Sequence, residues 1–140
     1  MHETEWFEQV QPTDGLLFLA GGVFVYQTEA QMKEFFIALA DRFESCELFF
    51  DAMSPLAVNM AKKMVLKKGG MSTSDDADGW GVKSAKSLEK WDERIRVIDT
   101  VPMYQGVKTG IPLTTKLKLF VPALLGFAMM MHLRIDNARA

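Results

Sequence analysis

The segment from Gly15 to Ala57, GLLFLAGGVFVYQTEAQMKEFFIALADRFESCELFFDAMSPLA, constrains the fold more than any other part of this chain. Two uninterrupted apolar runs, Leu16–Ala20 and Leu48–Phe50, flank one amphipathic stretch, and Ser54-Pro55 opens another. Runs of this kind suit strands covered on both faces in a parallel sheet. The alternation of strand, helix, strand and helix is that of an open α/β sheet. Such sheets grip their cofactors at a Gly-rich turn between the first strand and the first helix. No turn of that type precedes Gly15, so the segment reads as the second half of such a sheet without its first half.

Local signals place the boundaries. Trp6–Val10 is expected to be a short helical piece ending before Pro12, with Pro12-Thr13-Asp14-Gly15 as a turn. Gly21-Gly22 breaks the first strand; paired glycines there either let backbone approach a ligand closely or simply bend the chain. Thr28 and Gln31 have the spacing of a capping box, and Met32, Phe35, Phe36, Leu39 and Phe43 recur at helical spacing as a core stripe. The second strand is expected to end at Asp51. A carboxylate at the C-terminal end of a parallel strand stands where open α/β sheets place ligand contacts; the alternative is a loop carboxylate that accepts a nearby amide. Ser54 and Pro55 are read as N-cap and first-turn proline of a second helix. Met60 and Met64 are expected on its apolar side, and Gly69-Gly70 at its end.

Residues 72–81 read as a polar loop. Ser74, Asp76, Asp78 and Gly79 imitate the opening of a calcium loop, but Ala85 stands where the twelfth-position glutamate is required, which excludes that reading. Ser84–Trp91 is expected to be a short helix and Ile95–Val101 a third strand. Pro112–Phe127 is expected to form one or two helices broken at Pro122. Leu133–Ile135 is expected to be a last strand at the sheet edge, where antiparallel pairing is common.

With 140 residues, one domain is the natural reading. A net charge of −2 provides no basic field for nucleic acid. Lys62, Lys63, Lys67 and Lys68 cluster at the end of the second helix, where they complement its dipole. Cys46 is the single cysteine, which rules out an internal disulfide, marks a small core residue and suits a cytoplasmic protein. His2 and His132 are the only histidines, too few with one cysteine for a zinc site, and no metal is expected. The most apolar stretch, LFVPALLGFAMMM from Leu119 to Met131, is shorter than the ~20 residues a bilayer span needs. It is expected to be a buried helix or an apolar pocket wall, with peripheral membrane contact as the lesser alternative. Met1 is followed by His2, Glu3 and Glu5 rather than a basic n-region, so no signal peptide is expected.

Four pieces, LLFLAGGVFVYQTEAQMKEFFIALADRF, ELFFDAMSPLA, VLKKGG and LEKWDERIRVID, together resemble the leucine carboxyl methyltransferase family. Within it they are most similar to the polyketide-type, tetracenomycin-like O-methyltransferases, over about Trp6 to Arg134. The resemblance implies an α/β fold, the C-terminal half of a class I S-adenosylmethionine-dependent methyltransferase (Rossmann-like) sheet, mostly parallel with an antiparallel edge strand. Residues 1–140 would then be a single partial domain supplying strands four to seven of seven. The cofactor implied is S-adenosyl-L-methionine, with Gly21, Gly22, Val23 and Tyr26 on the family's cofactor-contacting motif. The family's motif carries a glutamate where Gly21 stands. A lost charged hydrogen bond of that kind costs about 1.5–3 kcal/mol.

The reaction implied is methyl transfer to a hydroxyl or carboxylate of a small-molecule acceptor, for which the protein mainly supplies alignment and a dry cavity. A carboxylate acceptor needs no base, whereas a phenol or alcohol benefits from one. Asp51, Tyr26, Tyr104 and His132 are candidates, although His132 also reads as a structural histidine. Asp51, Ser54 and Trp80 are expected to shape the acceptor pocket, with core packing as the other reading of Trp80. The alternative function is a non-catalytic half-domain acting as a binding or assembly module. Its exposed sheet edge would be covered by a partner half or, in a homodimer, by a second copy.

Overall fold

A computed structural model describes residues 5–10, 15–67, 79–103, 112, 114 and 127–137. Six regular elements carry the fold: β1 (Leu16–Ala20), α1 (Glu29–Arg42), β2 (Ser45–Met53), α2 (Pro55–Lys67), β3 (Ile95–Pro102) and β4 (Ala128–Asp136). The strands form one four-stranded sheet in the order β1-β2-β4-β3. β1 and β2 pair in parallel, while β4 pairs antiparallel with both β2 and β3. Three strands therefore share a direction and the last runs against them. The fold is α/β with a mixed sheet.

The reversed strand is present as expected, but it lies between β2 and β3 rather than at the edge. Side chains explain the order. β4 buries Met131, Leu133 and Ile135 and is hydrogen-bonded on both sides. β3 carries Arg96 and Asp99, has a bulge between Val97 and Asp99, and ends at Pro102, all features that suit an outer strand. β4 is also longer than the expected Leu133–Ile135. Residues 128–131, read as part of an apolar helix or pocket wall, belong to it because they pair with Met53, Ala52, Asp51 and Phe50 of β2. The rest of the expected 112–127 helices lies outside the described residues, apart from 112, 114 and 127.

α1 forms as its sequence dictates. Gln31 N–H donates to Thr28 Oγ1 at 3.3 Å and Thr28 N–H donates to Gln31 Oε1 at 2.9 Å, closing the capping box. Met32, Phe36 and Leu39 are buried, as is Phe43 just beyond the helix. They pack on the face of the sheet that presents Cys46, Leu48, Phe50 and Ala52 of β2. The Cys46 thiol is pushed up to about 12, first by burial and then by the charge of Asp136, so it is an inert core group.

The opposite face is open among the described residues, which corrects the expectation that β1 is covered on both sides. Leu17 is 56% and Leu19 73% exposed, whereas Leu16, Phe18 and Ala20 pack toward the core. β2 likewise alternates rather than being buried throughout, with Phe49 half-buried on the open face. It continues past Asp51 to Met53 because Ala52 and Met53 still find partners in β4.

α2 starts at Ser54-Pro55 as expected, with Ala57 N–H donating to Ser54 Oγ at 3.3 Å. Ala57 and Val58 face inward, but Met60 is exposed rather than on the apolar side, and Met64 falls outside the described side chains. The Trp80 segment reaches the start of α2 because Gly81 lacks a side chain: a Cβ there would lie 2.7 Å from Pro55 Cα. Residues expected as a helix at Ser84–Trp91 form a 3-10 turn, Ala85–Ser87, and further i+3 bonds. Leu88 N–H donates to Ala85 O and Trp91 N–H to Leu88 O, a spacing that packs Leu88 and Trp91 against the core together.

Candidate functional site

The C-terminal ends of β1 and β2 bring two sequence-distant features together. β1 stops at Gly21-Gly22, and Gly22 adopts φ +66°, a conformation that only glycine takes cheaply. This turn directs the Gly22 N–H at Asp51 Oδ1, 2.5 Å away and 29 positions along the chain. A carboxylate accepting a backbone N–H at such a distance is firmly oriented. Gly21, one residue earlier, is surrounded by space: a Cβ built there meets nothing within 4 Å. Asp51 thus does accept an amide, as one of its two readings held, and it does so at the end of the sheet where α/β folds receive ligands.

The remaining expected site residues divide. Val23 is exposed and Tyr26 is 74% exposed, both in the turn that follows Gly22, while Phe24 between them is buried and anchors that turn against Phe36 and Phe50. Ser54 lies three residues past Asp51, and its hydroxyl is used in capping α2. Trp80 is only 4% exposed. It stacks on Phe50 with ring centroids 6.0 Å apart and meets Trp91 at 5.6 Å. Phe50 and Asp51 alternate along β2, so Trp80 stands on the packed side of the sheet and Asp51 on the other. Its place is the aromatic core, and the structure does not bring it to Asp51. Tyr104 lies outside the described residues.

His132 and Glu47 form a pair on the open face, with His132 Nε2 and Glu47 Oε2 hydrogen-bonded at 2.8 Å. The His132 ring also meets Phe49 edge-on at 6.1 Å. Strand register explains the pair: His132 lies opposite Phe49 and Arg134 opposite Glu47, so all four project from one face. Glu47 was not legible as a partner, although alternation within SCELFF already puts it on the face away from Cys46 and Leu48. His132 is thereby a partnered histidine, the structural reading of that residue.

Two clefts lie apart from the Gly21–Asp51 end. One, of about 370 Å³, is lined by Gly15, Leu17, Cys46, Glu47 and Arg134 at the opposite end of β1 and β2. The other, of about 300 Å³, is lined by Trp80, Val82, Lys83, Lys90 and Trp91 on the packed side. The strand ends differ from these clefts in place: they set an oriented carboxylate beside open space at the end of the sheet where α/β folds receive ligands. Among the described residues no group of three or more potential metal ligands occurs, and no helix is long and apolar enough to cross a membrane.

No protein-family model and no curated protein matches the chain. Among solved structures it is similar to PKMT2 from Rickettsia typhi in complex with AdoHcy, at 8% identity and a TM-score of 0.43. The likeness covers 96% of this chain and 38% of that chain, so the chain spans well under half of that structure. At that TM-score the likeness carries no argument about this chain.

Proposed function

We propose that the chain is the C-terminal half-sheet of an S-adenosylmethionine-dependent O-methyltransferase acting on a hydroxyl or carboxylate of a small-molecule acceptor. The observation that carries this reading is the Gly21-Gly22 turn hydrogen-bonded to Asp51 at the C-terminal ends of two parallel strands. The reversed last strand in an otherwise unidirectional sheet supports it, as that arrangement is what the sequence resemblance implies. The local geometry fits such a cofactor: Gly21 leaves open space, and Asp51 brings a carboxylate to a turn that has none of its own.

Bound there, S-adenosylmethionine would supply the sulfonium methyl. Gly21, Gly22, Val23 and Tyr26 would line its approach. Asp51 would accept a hydrogen bond from a hydroxyl and orient its oxygen. Ser54 would contribute through the start of α2. Trp80 would act behind the site by holding Phe24, and with it the turn.

Equilibrium binding to the chain, with labelled S-adenosylmethionine and unlabelled AdoHcy as competitor, tests this. The expected result is saturable, competed binding that Gly21→Glu tightens by about tenfold or more, since a charged hydrogen bond contributes about 1.5–3 kcal/mol. No competed binding in either form would leave the second reading, a non-catalytic half-domain. Gly21 itself favours that second reading, because the position carries no carboxylate.

A further inference from the structure

Resting on the methyl-transfer reading, we infer that the acceptor at this site is an aromatic hydroxyl compound, a phenol, and not a carboxylate. Asp51 has one oxygen left to offer. Its Oδ1 accepts the Gly22 N–H, while Oδ2 has no hydrogen-bond or ion-pair partner among the described residues. A carboxylate oxygen in that position accepts a hydrogen bond and donates none. A phenol keeps its proton at pH 7 and supplies the donor. A carboxylate acceptor is ionised at pH 7, supplies no donor and sets like charge against like.

The neighbours of Asp51 select the rest of the acceptor. On the open face its cross-strand partner is Met130 of β4, and Met130 in turn lies opposite Val101 of β3. Opposite residues share a face with Cβ atoms about 4.5–5.5 Å apart, so Met130 and Val101 continue the surface that begins at Asp51. Met130 is half-buried and Val101 is exposed. Phe49 stands two residues back on the same strand and the same face. Strands lie about 4.8 Å apart, so the row from Asp51 to Val101 spans about 10 Å, enough for a flat ring system. Thioether and phenyl groups both favour aromatic partners.

No described cation stands on this row to receive an anion. His132, one row away, is hydrogen-bonded to Glu47. Arg134, four residues from Met130 and so about 13 Å along the strand, is paired with Asp136. The shelf lies on the side of Asp51 away from β1, so strands added beyond β1 leave it unchanged. In the transfer the phenol oxygen bonds the methyl carbon and the S–CH3 bond breaks with its electron pair left on sulfur. The phenol proton passes to Asp51 Oδ2 and on to water.

Equilibrium binding of 2-naphthol and 2-naphthoate, two probes with one ring system, to the full chain at pH 7 is the test. The naphthol should bind about tenfold tighter or more. Asp51→Asn keeps an acceptor for the Gly22 N–H, removes the charge and turns a donor outward, so it should cut that preference to about threefold or less. Met130→Ala should weaken both probes alike and leave the preference in place. In an amide NMR titration the naphthol should shift Gly22 and Met130 and leave Lys90, at the tryptophan-lined cleft, unmoved. Equal binding of the two probes, or no binding of either, overturns the inference. So does an unchanged preference in Asp51→Asn, no loss in Met130→Ala, or shifts centred on Lys90. If the naphthol binds as expected while S-adenosylmethionine fails to bind, the methyl-transfer reading falls and the hydroxyl-selective site stands.

Discussion

Two adjacent glycines do different work at the end of β1. Gly22 holds φ +66° and donates its N–H to Asp51, whereas Gly21 has no neighbour within 4 Å of a Cβ position and no left-handed backbone. Gly22→Val is therefore expected to destabilise the chain by about 1–2 kcal/mol through the left-handed conformation it would impose on a branched side chain. Gly21→Ala should change stability by no more than about 0.5 kcal/mol. Urea unfolding of the pair checks this, and equal losses at the two positions would contradict the account of the turn. The sequence marked both glycines as a break in the strand. It did not say which of them needed to be glycine, because a φ angle is set by where the following chain must go.

At the scale of elements, α1 is the part most nearly written in its own sequence. Its cap, its first-turn Glu29 and its buried stripe of Met32, Phe36 and Leu39 are all local, spaced three or four residues apart. Thr28→Ala removes the acceptor for Gln31 N–H and should cost about 1 kcal/mol, read as a lowered urea midpoint with unchanged slope. The strands were less legible. β1 reads as fully buried by composition, yet two of its five side chains, Leu17 and Leu19, are exposed, because periodicity cannot reveal which face of a run of leucines and phenylalanine is covered. The Ser84–Trp91 segment read as a helix by length, and the need to pack Leu88 and Trp91 inward made it a 3-10 turn instead.

On the scale of the whole molecule, an ion pair links α1 to the turn before β3. Arg94 bridges Asp92 at 2.8 Å and Asp41 at 2.7 Å. The Arg94 guanidinium holds the Asp92 carboxyl down to about 2, chiefly through their side-chain hydrogen bond. A carboxyl lowered in the folded state stabilises it fully above the unfolded value of about 3.9, and that stability is lost as pH falls toward 2. Asp136, lowered by its hydrogen bond with Arg134, acts in the same direction. Stability measured by urea unfolding should therefore fall between about pH 4 and pH 2, and Asp92→Asn should flatten that fall. An identical acid limb in the variant would remove Asp92 from the account.

The sequence by itself determined what is local or repetitive: the capped helix α1, the Ser54-Pro55 start of α2, the glycine break after β1, and the α/β alternation itself. These follow from hydrogen bonds and side-chain spacings within a few residues, so a short window contains their causes. Tertiary structure alone decided the rest. It put β4 inside the sheet and β3 at its margin, gave Glu47 to His132 across 85 positions, turned Trp80 into the core, and set Asp51 against Gly22. Each of those depends on which strand lies beside which. That choice is made by burying one face of the whole sheet at once, a sum over the chain that no single segment contains.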